Sequence, residues 1–147
     1  MNYPITSADY PPITIYKLFA HSQLKHEETA MFGFAHVELP ALNLEREGKF
    51  YAAIFNWKLQ DFYGNDYRMI VTPDGDMIGG LTKVLKIHFA EDYVNFVEVE
   101  NVDKTIAAAE KIGGSRVGET KELPEGMGFY GKIKTPDGYC IGVWAKK

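Results

Sequence analysis

Four histidines, one cysteine and 20 carboxylates could move a proton or hold an ion, and their spacing sorts them. His36 and Glu38 stand two apart in the alternating run Phe34–Leu39, so a strand there puts Phe34, His36 and Glu38 on one face. An imidazole beside a carboxylate is an acid–base pair, with the carboxylate able to set the tautomer. Val37-Glu38-Leu39 is echoed by Val97-Glu98-Val99, which adds Glu98 as a second, repeat-related carboxylate. His36, Glu38 and Glu98 are therefore the candidate catalytic groups. His21 and His26 lie beside Glu27-Glu28, but a five-residue spacing puts them on different faces of a helix, a poor metal pair. Cys140 has no histidine or basic neighbour in sequence to activate its thiol. Gly126–Gly131 (GMGFYG) is glycine-rich, yet it precedes a strand and lacks the lysine of a phosphate loop; it reads as a lip over a binding site.

The composition bounds what these residues can serve. The chain has 147 residues, 46% hydrophobic and 24% charged, which is ordinary globular usage. A net charge of −4 argues against a nucleic-acid partner, which needs a basic stripe. The lysine pairs Lys83/Lys86 and Lys132/Lys134 are short solvated faces. One cysteine excludes an internal disulfide framework and a cysteine-based zinc site. No apolar run reaches the ~18–20 residues of a membrane span, and the opening Met-Asn-Tyr-Pro does not read as a leader. The expectation is a soluble, cytoplasmic protein with no membrane partner.

An internal repeat positions the candidates. TPDGDMIGGLTK (72–83) and TPDGYCIGVWAK (135–146) match at seven of twelve positions, at an offset of 63. Asn43-Leu44 is echoed by Asn101-Val102. Each half starts with an alternating strand, Phe34–Leu39 or Asn95–Val99. A helix follows, with Asn43 as N-cap and Glu45 and Glu47 in its first turn. Its apolar face is Leu44, Tyr51, Ile54 and Phe55; in the second half it is Val102, Ile106, Ala109 and Ile112, ended by Gly113-Gly114. Three strands complete each half: Trp57–Phe62, Tyr67–Val71 and Met77–Val84, then Arg116–Leu123, Gly128–Lys134 and Tyr139–Ala145. Pro73-Asp74-Gly75 and Pro136-Asp137-Gly138 are tight turns before the closing strands. The order βαβββ occurs twice, an α+β arrangement, with 85–94 as the connection. Residues 1–31 stand outside the repeat, with a strand at Ile13–Phe19 and a polar helix at Ser22–Met31.

A duplicated βαβββ with HVELPALNLEREGKFYAAIFNW in the first unit and GMGFYGKIKTPDGYCIGVWAK in the second resembles the vicinal oxygen chelate superfamily. That superfamily holds glyoxalase, the bleomycin and fosfomycin resistance proteins and the extradiol dioxygenases. The resemblance covers residues 32–147, module one being about 32–84 and module two about 95–147. It implies one glyoxalase-like domain whose curved sheets surround a cavity. In metal-using members, His or Glu from the first and last strands holds a divalent ion. Those positions fall here on His36, near Phe96, and on Gly79 and Gly142. One ligand of four survives, and a shift by one residue brings in only Ile78, Gly80, Ile141 and Val143.

Strand alternation then lines the cavity with Phe34, Met77, Leu81, Phe96, Cys140 and Trp144, with Gly79 and Gly142 widening it. A mostly apolar pocket with a few polar groups is the usual small-molecule site. The expectation is a small-molecule-binding protein of this type with no metal or other cofactor and a small-molecule ligand. A metal-dependent lyase, isomerase or dioxygenase is the alternative, and a non-catalytic structural or regulatory dimer the third. Superfamily habit and the frequency of closed two-fold pairs imply a homodimer, with residues 1–31 as a clasp.

Overall fold

Two asparagines start the two helices. Asn43 caps α1 (Leu44–Phe55) by accepting from the Arg46 amide at 2.9 Å, and Asn101 caps α2 (Val102–Glu110) by accepting from the Lys104 amide at 2.9 Å. The computed structural model describes residues 34–146. The chain divides into two units, Met1–Ala35 and His36–Lys147, and every element below belongs to the second. The strand at 13–19, the helix at 22–31, His21 and His26 lie outside the described residues. α1 stops at Asn56 in the left-handed conformation. α2 stops two residues before the last apolar position of its predicted face, Ile112. Gly113 takes a positive φ, the Gly114 amide returns to the Ala109 carbonyl, and Ile112 lies past the helix, exposed.

Module one adds β1 (Val37–Ala41), β2 (Lys58–Tyr63), β3 (Tyr67–Val71) and β4 (Met77–Lys83). Module two adds β5 (Phe96–Glu98), β6 (Ser115–Glu122), β7 (Phe129–Lys134) and β8 (Cys140–Ala145). Each module forms one four-stranded sheet, ordered β1-β4-β3-β2 and β5-β8-β7-β6. The first and last strands of each module pair in parallel, which requires the intervening helix and hairpins as a crossover. The two Pro-Asp-Gly turns close alike: Gly75 N donates to Thr72 O at 3.0 Å, and Gly138 N to Thr135 O at 2.9 Å. Gly75 and Gly138 both carry φ above 90°, which glycine supplies without strain.

Leu39, Tyr51, Ile70 and Leu81 of module one join Ile106, Ile133, Ile141 and Val143 of module two in one buried cluster on the helix side of the sheets. A polar tie crosses it. Asp137, in the module-two turn, accepts from the amides of Leu42 and Asn43 at 2.6 and 2.8 Å, and from Arg46 Nε at 2.7 Å. It therefore caps the amino end of α1 from about 90 residues away in sequence, where the helix dipole favours an anion. The Asp137 amide in turn donates to Glu47 Oε2 at 3.1 Å. Glu47 is fully buried, and burial pushes its carboxyl up to about 7, with the neighbouring Asp137 carboxylate acting the same way. The counterpart Asp74 is exposed. Among the described residues no helix is long and apolar enough to cross a membrane.

Candidate functional site

Each sheet has one face on the helices and one away from them. In module two the away face carries Phe96 and Glu98 of β5, Tyr130 and Lys132 of β7, and Cys140, Gly142 and Trp144 of β8, because their strand neighbours Val97, Ile133, Ile141 and Val143 belong to the core. Phe96, Leu123, Tyr130, Lys132 and Trp144 line a cavity of about 570 Å³ there, edged by Glu91, Asp92 and Val94 from the connection. Phe96 and Tyr130 meet edge to face, 5.8 Å apart and 78° between planes. Trp144 is fixed by Nε1 donating to the Met127 carbonyl at 2.9 Å, which draws the glycine-rich 126–131 segment against this face. Lys132 Nζ donates to the Glu91 carbonyl at 3.1 Å and lies 3.6 Å from its carboxylate. Cys140 shares the face but is fully buried, and burial holds its thiol above the ordinary range.

Module one presents a different group. His36 Nε2 lies 2.9 Å from the Tyr67 hydroxyl and 3.4 Å from Glu38 Oε1, and Thr82 Oγ1 donates to Glu38 Oε2 at 2.9 Å. Burial, then the Glu38 charge, pushes the Tyr67 phenol up to about 12. This phenol stays protonated at neutral pH and can hold His36 in one orientation. His36 and Glu38, placed together by alternation, do meet.

Three expectations change. Phe34 precedes β1, which starts at Val37, and is exposed. Gly79 and Leu81 face the helices: Leu81 is core, and a Cβ on Gly79 would strike the Val37 carbonyl. Met77, at the exposed start of β4, lines no part of the module-two cavity. For Gly79 and Leu81 the cause is a bulge at Ile78. Ile70 pairs with Gly79 but Val71 with Met77, whereas module two runs in unbroken register from Phe129–Ala145 to Lys134–Cys140. Beyond the bulge the offset between modules is 62, so Gly80 is the true counterpart of Gly142.

The carboxylate pair also separates. Glu38 pairs with Gly80 and Phe96 with Gly142, so Phe96 is the counterpart of Glu38, an offset of 58 that the two cap asparagines share. Glu98 lies two residues further along, opposite Trp144, exposed and outside the cavity. A two-residue slip keeps side chains on the same face, so alternation alone does not detect it.

Gly142 and its counterpart Gly80 open no space for a ligand. The Tyr67 ring occupies the space a Cβ on Gly80 would need, and the Phe96 ring does so at Gly142. This bears on a divalent ion. His36 and Glu38 are the only ligating side chains at the four strand positions, and among the described residues no group of three His, Cys, Asp or Glu could hold a metal. These residues do not fit a metal centre of three or four protein ligands.

The sequence puts Lys132 in a solvated pair, whereas it lines the cavity; Tyr67, Thr82 and Tyr130 were not singled out. A signal existed for two of them: Tyr67 and Tyr130 each stand five residues before a Thr-Pro-Asp-Gly turn, so they are repeat partners.

The chain matches no protein-family model and no curated protein. Solved structures do resemble it. A glyoxalase/bleomycin resistance protein/dioxygenase family enzyme from Burkholderia phytofirmans PsJN superposes with a TM-score of 0.61 at 12% identity, over 76% of this chain and 97% of that one. The fosfomycin resistance protein FosX from Listeria monocytogenes gives 0.65 at 14% identity, over 78% and 91%. A FosX mutant complexed with Mn(II) and 1S,2S-dihydroxypropylphosphonic acid gives 0.64 at 13%, over 78% and 90%. These likenesses establish the glyoxalase/bleomycin resistance, or vicinal oxygen chelate, fold.

Proposed function

We propose that this chain is a small-molecule-binding protein whose ligand occupies the away face of module two, without the divalent ion that a FosX mutant holds. The observation that carries this is the 570 Å³ cavity walled by Phe96, Tyr130 and Trp144. Its volume lies in the range of small-molecule sites, and its walls are aromatic with few polar groups. The three rings supply apolar contact, worth roughly 25 cal/mol for each Å² removed from water. Lys132, Glu91 and Asp92 supply orientation at one edge. The fixed Trp144 indole and the crossed Phe96 and Tyr130 rings are pre-organised, so little side-chain entropy is lost on binding. The protein acts as a homodimer in this proposal, which sedimentation at micromolar concentration tests; a monomer there removes that part.

A second reading, acid–base catalysis by module one, is favoured by the 2.9 Å contact between His36 and Tyr67. In it His36 accepts or delivers the proton, Tyr67 orients the imidazole, and Glu38, held by Thr82, stabilises the imidazolium.

The test uses the chain's two tryptophans. Trp57→Phe leaves Trp144 as the sole indole. Fragments from a general library are expected to change its emission saturably, and Phe96→Ala to abolish the effect. No saturable change from any fragment contradicts the proposal. Saturable binding that survives Phe96→Ala but is lost in His36→Ala transfers the site to module one.

A further inference from the structure

The lining of the module-two cavity has a charge balance that small-molecule binding alone does not explain. The lining holds two carboxylates, Glu91 and Asp92, and one ammonium, Lys132. That ammonium is already engaged by both the carbonyl and the carboxylate of Glu91. Asp92 forms no ion pair among the described residues, so the lining carries a net charge of about −1 at neutral pH. Beside this charge stand three aromatic rings. Phe96 and Tyr130 are nearly perpendicular at 5.8 Å, and Trp144 is held still by Met127.

Ring faces are electron-rich and attract a cation within roughly 6 Å of the centroid, indole most strongly. Crossed rings with a carboxylate at the rim therefore favour a bulky, weakly hydrated cation over a neutral body of the same shape. An anion would have to take Lys132 from Glu91 and then sit beside Asp92. The same chemistry occurs next door within the chain, where Lys134 Nζ stands 5.3 Å from the Phe89 ring centroid.

We propose that the cavity takes an organic ammonium ion, its cationic head against Phe96, Tyr130 and Trp144 and its charge balanced by Asp92. This rests on the small-molecule assignment of the same cavity and adds the chemical class of the ligand.

The experiment is calorimetric titration of the full chain with three probes: choline, its uncharged isostere neohexyl alcohol, and benzoate. Choline is expected to bind about tenfold tighter than the alcohol, a ratio that matches a partly desolvated cation–π contact. Asp92→Asn, at an exposed position, is expected to weaken choline several-fold and leave the alcohol unchanged. Tyr130→Leu, checked for a native melting transition, is expected to remove the preference for choline. Equal affinity for choline and the alcohol overturns the proposal. So does tighter binding of benzoate that disappears in Lys132→Met. Failure of all three probes while library fragments still alter Trp144 emission overturns the ammonium class and leaves small-molecule binding standing; failure of both sets overturns both.

Discussion

The ring of Phe96 lies over Gly142, its partner on the neighbouring parallel strand, and fills the space that a Cβ there would need. The Tyr67 ring covers Gly80 in the same way in module one, reaching it from β3 rather than from the first strand. A glycine at this strand position leaves room for an aromatic side chain against the sheet. In module two that ring is a wall of the cavity; in module one its hydroxyl meets His36.

Gly142→Ala is expected to push Phe96 off the sheet, costing about 1–3 kcal/mol of overpacking. Cavity affinity is expected to fall at least as far as in Phe96→Ala. With Phe96 already replaced, the added alanine should cost much less, since both changes act on one contact. Urea denaturation of the four-protein cycle measures this, and strict additivity contradicts it.

Tyr67→Phe removes one hydrogen bond to His36 and is expected to cost about 1 kcal/mol. Fragment affinity at module two should stay unchanged, because no residue of the His36 group lines that cavity. A parallel loss of affinity would show that the two faces form one site.

Asp137→Ala is expected to destabilise the protein by about 2–4 kcal/mol. It leaves two backbone amides at the start of α1 without their acceptor and removes the partner of Arg46. Asp74→Ala, at the exposed repeat position, should stay within about 0.5 kcal/mol. Equal effects in urea denaturation would contradict the inter-module cap.

Glu47 makes stability depend on pH with a defined sign. Its folded-state carboxyl sits at about 7, above its ordinary 4.5, so the folded protein binds the proton more tightly than the unfolded chain. Its contribution is fully present below about pH 4.5 and is lost as pH rises through about 7. The loss is about 3 kcal/mol. Glu47→Gln should flatten the stability profile over that window, measured by urea denaturation at successive pH values. An unchanged slope in the variant would place the titration elsewhere.

Much of the fold was legible because duplication states it twice. The cap asparagines, the two Pro-Asp-Gly turns and the alternating strands each appear in both halves, and the structure has the βαβββ order they predict. The site was less legible for two physical reasons. A single-residue bulge at Ile78 reverses every side chain after it, and Met-Ile-Gly-Gly gives no sign of which residue is extra. The Glu38–Glu98 echo is strong in letters but two residues out of structural register, and a slip of two leaves alternation intact. The role of Asp137 was invisible because its partners lie some 90 residues away, and its repeat twin Asp74 has the same local sequence.

The most direct test of ligand binding at module two is a backbone amide chemical-shift map of the full chain, titrated with the tightest library fragment. Saturable shifts are expected to gather on Phe96, Tyr130, Lys132 and Trp144, with His36, Glu38 and Tyr67 unmoved. Shifts centred on His36 and Tyr67, or no saturable shift at any residue of β5, β7 and β8, would contradict it.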